Sequence, residues 1–297
     1  FSAMIRSIKD TKSPMFISVG ENALNIVLNT VFIYGLNLGV TGAAIASCIS
    51  FGIGGIAMFL LMLGKTKLRP SKSDIKPDRE ILAETFTIGL PALGTTFVSC
   101  FGYIAFARMV SGMGTTIFAA HSIAITAEQI VYIPGYGLRV ATSTLIGNAL
   151  GTKDSRKLKA IEKVSILITL LIMGVNGIGL YLFAYPFMRV FTNSVNAARI
   201  GSGMLRLVAF SEPFFGLMIV LEGISYGMGR TKHVFACEAV SMWGIRILGT
   251  FLCVNVFGLG LKAVWLCMIA DNICKAVLLY MFRPRIMDSG PYQETIV

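Results

Sequence analysis

The sequence predicts an all-α integral membrane protein built from two similar lobes. Its 297 residues are 55% hydrophobic and only 14% charged, and the mean hydropathy is +0.74, well outside the range of soluble domains. Stretches of about 20 residues with few charges are long enough to cross about 30 Å of hydrocarbon. Eight such transmembrane helices are expected, at 14–34, 40–63, 84–110, 117–148, 160–188, 200–227, 234–257 and 260–282.

A long internal repeat indicates the two-lobe plan. The turn KDTK at 9–12 precedes the first two spans, as GRTK at 229–232 precedes the last two. With one gap further on, Leu-Gly at 38–39 also falls on Leu-Gly at 259–260. Paired apolar spans that repeat in this way are typical of secondary transporters. The offset leaves room for about four more helices before residue 1, so we expect a twelve-helix, pseudo-symmetric protein.

The charged and proline-containing stretches predict the domain limits. We expect 1–63 to be the end of the N-terminal lobe, with two transmembrane helices. Residues 64–80 form a cytoplasmic inter-lobe loop, because they are polar and contain two prolines. Residues 81–285 make the C-terminal six-helix lobe, and 286–297 a cytoplasmic tail.

The net charge of +11 reflects topology rather than nucleic-acid binding. Every second connection along the chain, counted from the N-terminus, holds 18 Lys and Arg, and the other side holds five. By the positive-inside rule the richer side is cytoplasmic, which puts both ends of the chain there. We expect a multi-pass protein of the plasma membrane with the lipid bilayer as its partner. A site for anionic lipid headgroups around 65–79 is an alternative use of this charge.

Polar side chains in the first two spans lie at helical spacing. Asn25 and Asn29 are on one stripe of span one, and Ser47 lies among the small residues of span two. Asparagine at membrane depth seldom faces lipid, because its amide would be unpaired there. The stripe therefore forms hydrogen bonds between helices or lines a substrate or ion cavity.

Charged side chains in span four mark an interior face. Glu128, Tyr132 and Arg139 share a helix face with His121, and an unpaired charge at membrane depth costs several kcal/mol. The Glu128 carboxylate is a candidate to bind a proton or a cation, with a structural ion pair as the alternative. His121 is expected to be a structural hydrogen-bonding residue.

Further acids and bases lie in the last three spans. Glu212 and Glu222 have Phe and Met neighbours, which suit a pocket for lipophilic cations but are also typical of a core. Arg246 needs a buried acidic partner, and the candidates are Glu222, Glu238 and Asp271. Asp271 can also neutralise the lysine four residues later.

Several segments together resemble the MATE (multidrug and toxic compound extrusion) transporters. They are IRSIKDTK at 5–12, NALNIVLN at 22–29, LGVTGAAIAS at 38–47, ATSTLIGNALGTKD at 141–154 and GMGRTK at 227–232. The resemblance implies that the spans present are the family's fifth to twelfth helices. It also implies a secondary active antiporter that exports cationic amphipathic drugs or toxins in exchange for Na⁺ or H⁺ by alternating access. The alternative within the superfamily is a flippase for lipid-linked oligosaccharides or lipids.

The resemblance also maps the coupling residues. Proton-coupled members have an Asn-x-x-x-Asp pair and a hydroxyl where this chain has Asn25, Asn29 and Ser47, so an amide replaces the acid. Sodium-coupled members have acids where this chain has Ser99 and Phe215. We therefore expect the cation to be bound by other acids of the second lobe, with two arginines that orient or neutralise them. The candidates are Glu128, Glu212, Glu222, Arg139, Arg246 and Asp271.

Other classes of function are less well supported. A membrane enzyme would need acids at metal-ligand spacing or a histidine cluster, and the chain has two His and no such motif. No resident cofactor, metal or nucleic-acid partner is expected, and we expect a monomer. The chain by itself can also be an inert piece of a transporter, since alternating access needs both complete lobes.

Overall fold

The computed structural model describes residues 1–65, 68–70 and 78–288, with side chains described up to residue 283. All regular structure in these ranges is helical. The helices are α1 (Ser2–Ser7), α2 (Lys12–Asn29), α3 (Gly39–Gly64), α4 (Arg79–Ser111), α5 (Thr115–Gly151), α6 (Ser155–Phe191), α7 (Val195–Ala209), α8 (Glu212–Gly227), α9 (Thr231–Ser241), α10 (Leu248–Phe251) and α11 (Leu261–Asp288). Short π-helices follow α2, α9 and α10, at Thr30–Gly35, Met242–Ile247 and Leu252–Val256.

The predicted all-α membrane fold is confirmed. Seven helical stretches in the described residues are long and apolar enough to cross a membrane, and a bent pair makes up to eight. The span expected at 200–227 is a bent pair, because α7 and α8 meet at an angle of 60°. Pro213 lies in the first turn of α8. Proline there has no N–H to continue the hydrogen bonding of the preceding helix, so a new helix begins.

The chain divides into two compact units, Phe1–Arg79 and Glu80–Val297. The first contains α1 to α3, and α2 packs against α3. In the second, α5 packs against α6, α7 and α8, and α11 packs against α8 and α9. The predicted domain limits stay a prediction. Much of the expected loop and most of the expected tail, at 66–67, 71–77 and 289–297, lie outside the described residues.

The predicted repeat is present in the backbone, first at the two polar turns. Lys9 and Gly229, which are 220 positions apart, both have left-handed backbone conformations, with φ of 68° and 70°. The amide of Lys9 donates to Arg6 O at 2.9 Å, and that of Gly229 donates to Tyr226 O at 3.1 Å. The same turn therefore introduces a pair of spans in each unit.

The repeat is also present where the following spans end. The π-helices Thr30–Gly35 and Leu252–Val256 are each followed by a residue with positive φ, Asn37 at 54° and Gly258 at 61°. The hydrogen bonds around these ends match at an offset of 221 positions: Leu36 N to Val31 O and Leu38 N to Phe32 O, and Phe257 N to Leu252 O and Leu259 N to Cys253 O. The two units thus share the same backbone conformation at these span ends as well as a similar sequence.

An ion pair ties the start of α2 to the end of α3 in the first unit. Lys65 Nζ lies 2.7 Å from Asp10 Oδ2, and Ser13 donates to the same carboxylate through its amide and its hydroxyl. The Lys65 contact and the Ser13 donors lower the pKa of Asp10 to about 2. Asp10 belongs to the KDTK turn, so this turn also fixes the entry to span one.

Two glycines set the distance between α5 and α8. Gly223 and Gly227 are four residues apart on α8, and a Cβ at Gly223 would lie 2.7 Å from Arg139 O. A Cβ at Gly227 would lie 2.6 Å from Ser143 O. Small residues at this spacing let helix backbones approach closely in a membrane. The close contact holds the acids of α5 and α8 within one interior.

We therefore expect Gly223→Ala to destabilise the protein by about 1–3 kcal/mol, because the added methyl group would push α8 from the α5 backbone. The control is Gly203→Ala in α7, where a Cβ would meet nothing within 4 Å, so stability is expected to stay unchanged or to rise by up to about 1 kcal/mol. Thermal unfolding in detergent compares the two variants. Equal effects would show that the α5–α8 contact does not depend on glycine.

Candidate functional site

The second unit contains a cavity of about 360 Å³ with a mainly aromatic wall. It lies between α4, α5, α8, the π-helix after α9 and α11. The side chains around it include Tyr103, Phe106, His121, Glu128, Gln129, Tyr132, Tyr136, Phe215, Arg246, Met268 and Asn272. One carboxylate and one guanidinium therefore face a largely apolar space. The volume falls in the range of sites for small molecules.

Glu128 is the carboxylate of this cavity. Its side chain is 2% exposed and accepts a hydrogen bond from the Tyr132 hydroxyl one turn later on α5. Tyr132 in turn stacks on Phe215 of α8, with ring centroids 3.7 Å apart. Among the described ion pairs, none within 4.0 Å involves Glu128. Glu128 is thus oriented by a neutral donor and makes no direct ion pair with a described base, although Arg246 lines the same cavity.

Glu212 is a second buried acid in the same unit. It is fully buried at the first position of α8, where the bent pair breaks, and Gly177 of α6 lies against its side chain. Neither of its carboxylate oxygens has a hydrogen-bond partner among the described protein groups. A charged carboxylate in such a place costs several kcal/mol. It is therefore stable with a bound proton or beside a cation.

Four charged residues form a buried network beside the cavity. Arg246 Nε lies 2.8 Å from Asp271 Oδ2. Lys275 Nζ lies 3.2 Å from the same oxygen and 2.9 Å from Glu238 Oε2. Each of the four residues is less than a tenth exposed. Asp271 is thus the acidic partner that Arg246 needs, and the expected pairing of Asp271 with Lys275 is also present.

Polar neighbours complete this network. The Ser99 hydroxyl donates to Glu238 Oε1 at 2.5 Å, and the Ser241 hydroxyl donates to Asp271 Oδ1 at 2.5 Å. The Arg246 guanidinium also donates to Asn272 Oδ1 at 3.3 Å. Both carboxylates therefore bind a hydroxyl on one oxygen and a base on the other. Opposite charges and hydroxyl donors at these distances make buried charge tolerable, although the contact between Arg246 Nε and Asp271 Oδ2 is an ion pair without hydrogen-bond geometry.

The π-helix after α9 explains how two residues five apart reach one acid. Ser241 precedes the π-helix Met242–Ile247 and Arg246 lies inside it, and both contact Asp271. Residues five apart share a face of a π-helix but not of an α-helix. The guanidinium also lies 5.4 Å from the centre of the Tyr103 ring and 5.7 Å from that of Phe106.

Glu222, unlike Glu128 and Glu212, lies in an ion pair. Arg139 NH1 lies 3.1 Å from Glu222 Oε2, and the guanidinium covers the Tyr136 ring at 5.3 Å. This contact joins α5 to α8 near the close glycine contact. Arg139 therefore neutralises Glu222, the role that the sequence suggested for this arginine.

The comparisons with known proteins identify the family. A family model described as MatE matches residues 91–252, more than half of the chain and most of the site. The chain belongs to the MatE family. MatE proteins are transporters, so the enzyme hypothesis is set aside. The chain is part of a multi-pass membrane protein.

Similar MatE proteins are longer than this chain. It is 28% identical over 286 residues to the probable multidrug resistance protein NorM of Thermotoga maritima, covering 95% of this chain and 62% of that protein. It is 26% identical to the multidrug export protein MepA of Staphylococcus saprophyticus, covering 89% of this chain and 58% of that protein. The chain thus spans less than two thirds of the length of these relatives.

Solved structures have the same fold. The Vibrio cholerae MATE transporter VcmN in its bent form superposes with a TM-score of 0.83 at 18% identity, over 95% of this chain and 64% of that one. A Pyrococcus furiosus transporter of the MOP superfamily superposes with a TM-score of 0.82 at 24% identity, over 92% and 62%. That protein is described as having a binding pocket of reverse polarity, which suggests a different function for it.

The MATE resemblance associates two positions with sodium coupling, Ser99 and Phe215. Ser99 contacts an acid directly, and Phe215 contacts a tyrosine that is hydrogen-bonded to an acid. Ser99 donates to Glu238 of α9, and Phe215 stacks on Tyr132, which donates to Glu128 of α5. In this MatE chain, acids from neighbouring helices therefore lie beside the positions where the family's acids are replaced.

The polar stripe of the first unit is brought together as a hydrogen-bonded row. Asn29 Nδ2 donates to Asn25 Oδ1 at 2.8 Å, and Asn25 Nδ2 donates to Ser47 Oγ of α3 at 3.4 Å. The α2–α3 contact favours the interhelical interpretation of this stripe. Asn29 Oδ1 is buried and has no partner among the described groups, so one acceptor of the row stays available.

Sequence reasoning missed part of the cavity wall. Tyr103 is an aromatic residue in an apolar span and gives no signal by itself. Gln129 and Asn272 each follow a buried acid and are polar at membrane depth, which could have identified them. His121 accepts a hydrogen bond from Trp265 Nε1 at Nδ1, at 3.2 Å, so its expected structural role is confirmed.

We expect Asp271→Asn to destabilise the protein by about 3–5 kcal/mol, because it leaves two buried cations facing one acid. The matched control is Asp154→Asn at the exposed N-terminus of α6, where the side chain accepts from Lys157 N at 2.9 Å. Asparagine caps a helix as well as aspartate does, so this change is expected to cost less than about 0.5 kcal/mol. Denaturant unfolding in detergent measures both, and a small effect at Asp271 would contradict the network.

Proposed function

We propose that this chain is part of a secondary active antiporter that exports cationic amphipathic compounds in exchange for Na⁺ or H⁺. The relatives named for multidrug resistance and export support an efflux role. The observation that carries the proposal is the buried carboxylate of Glu128, which faces an aromatic cavity and has no basic partner among the described residues. A monomer in the plasma membrane with both chain ends on the cytoplasmic side is part of the proposal.

The balance of buried charge in the second unit supports a site for cations, because six buried acids face two buried bases among the described residues. Among the described side chains, four bases of the helices lie in ion pairs with four acids: Arg139 with Glu222, Arg246 with Asp271, Lys275 with Glu238 and Arg283 with Glu162. Glu128 and Glu212 remain without a base. Two acids in excess favour a cation from outside the protein, because the low dielectric strengthens the attraction.

The wall of the cavity supports the amphipathic part of the proposal. Tyr103, Tyr136 and Phe215 line the cavity together with Glu128. One face of each ring is covered, by Arg246, Arg139 and Tyr132 respectively, which leaves the other face and the edges for a ligand. Met268 adds a deformable thioether. A ring face attracts an organic cation, and the apolar remainder of the ligand packs against the same side chains. This combination selects lipophilic cations by charge and shape rather than by directed hydrogen bonds.

Competition for one carboxylate supplies the exchange. An ionised Glu128 binds the organic cation, whereas a proton or Na⁺ on the same carboxylate removes the attraction and releases it. The Tyr132 hydroxyl supports either state, because it can donate to the ionised form and accept from the protonated one. Alternating access of the two lobes then carries the exchange across the membrane.

The superfamily's flippase function fits this cavity less well. An anionic lipid-linked sugar needs an excess of positive charge, and the guanidinium at the cavity, Arg246, is already neutralised by Asp271. The polarity of the pocket separates the two functions. The described charges favour organic cations over anionic lipids.

We expect Glu128→Gln to lower the gradient-driven efflux of an ethidium-like dye by about tenfold or more, since a lost contact of about 1.4 kcal/mol is a factor of ten. The variant is made in the longest protein that the gene encodes and assayed in membrane vesicles with an imposed Na⁺ or H⁺ gradient. Glu84→Gln, at an exposed position of α4, is the control and should transport normally. Unchanged efflux by Glu128→Gln at equal protein levels would contradict the role of Glu128 in coupling.

A further inference from the structure

The ammonium of Lys275 is surrounded by acidic oxygens from two helices. It contacts Glu238 Oε2 of α9 at 2.9 Å and Asp271 Oδ2 of its own helix at 3.2 Å. The hydroxyls of Ser99 and Ser241 bind the other oxygen of each acid. Carboxylate and hydroxyl oxygens of this kind are also the ligands that small hard cations prefer. The centre of the group, however, is filled by a side chain of the protein.

We propose that Lys275 is a tethered cation, which occupies the place of a free monovalent cation between Glu238 and Asp271. The acid pair is then a latent Na⁺ site that the chain has closed with its own ammonium. A lysine suits this role because its ammonium is a compact point charge with three donors on a flexible stem. The lysine makes the pair independent of the ionic composition of the medium.

The charges of the network determine what removal of the ammonium does. Arg246 and Lys275 balance Glu238 and Asp271, so the group of four is neutral. Without Lys275 it carries one uncompensated negative charge in a buried place. Arg246 cannot fill the gap, because its guanidinium is held by Asp271, Asn272 and two aromatic rings. The space left in Lys275→Ala by three methylene groups and an ammonium admits a Na⁺ ion with a water.

The tethered cation bears on transport, and this part of the inference rests on the proposed function. An acid pair that already holds a cation does not exchange ions, so the exchange would pass through Glu128 and Glu212. The latent site can be tested by ion binding, without any transport assay.

The test compares Lys275→Ala with two matched variants in purified protein. Lys275→Arg keeps the positive charge, and Lys275→Ala combined with Glu238→Gln restores neutrality without a cation. Thermal unfolding is followed in NaCl and in choline chloride at equal ionic strength. We expect Na⁺ to raise the unfolding midpoint of Lys275→Ala by a few °C over choline, because a bound ligand stabilises the folded state. The wild type, Lys275→Arg and the double variant should show a smaller difference, limited to any Na⁺ that binds at Glu128 and Glu212.

Two results would overturn the proposal. One is a folded Lys275→Ala protein whose midpoint differs between Na⁺ and choline by no more than that of the wild type. The other is a Lys275→Ala protein that fails to fold in either salt while the double variant folds, because the vacated place then admits no free cation. Folding of Lys275→Ala in Na⁺ but not in choline would support the proposal. The two proposals fail separately. Absence of Na⁺ binding by Lys275→Ala overturns this inference alone, whereas unchanged dye efflux by Glu128→Gln overturns the proposed function alone.

Discussion

The cost of a buried charge in a membrane is the constraint on which the second unit depends. Each buried base described in the second unit lies within ion-pair distance of an acid. In the network around Asp271, each of the two acids also accepts a hydrogen bond from a serine hydroxyl. Glu128 and Glu212 are the exceptions. An uncompensated acid costs several kcal/mol unless a proton or a cation joins it. The two exceptions are therefore the places where exchangeable charge has a physical reason to bind.

The backbone also brings buried charges of opposite sign together. The close contact of Gly223 and Gly227 with α5 brings Glu222 to Arg139, and the π-helix at Met242–Ile247 turns Arg246 towards Asp271. The polar turns and the π-helical ends of the spans recur in both units. The π-helix at Met242–Ile247 does not, since the corresponding residues of the first unit are α-helical in α2. This π-helix and the charged side chains distinguish the second unit from the first.

Hydropathy and spacing predicted much of this arrangement. Long apolar windows gave the spans, since each helix must cross the same hydrocarbon thickness, and a charge at membrane depth identified the interior faces of α5 and α11. The bend before Pro213 was missed, because proline at the start of a helix and proline within one look alike in sequence. The choice of partner for Lys275 and the part of Tyr103 in the cavity depend on packing between distant helices. No local pattern encodes those contacts.

The central claim is that Glu128 and Glu212 hold the exchangeable cation of this unit. Its most direct test is to measure the protons and Na⁺ that the purified protein releases when a lipophilic cation such as tetraphenylphosphonium binds. We expect release from the wild type and from Glu222→Gln, and none from the variant with both Glu128→Gln and Glu212→Gln. Equal release by that double variant, or none by the wild type, would contradict the account.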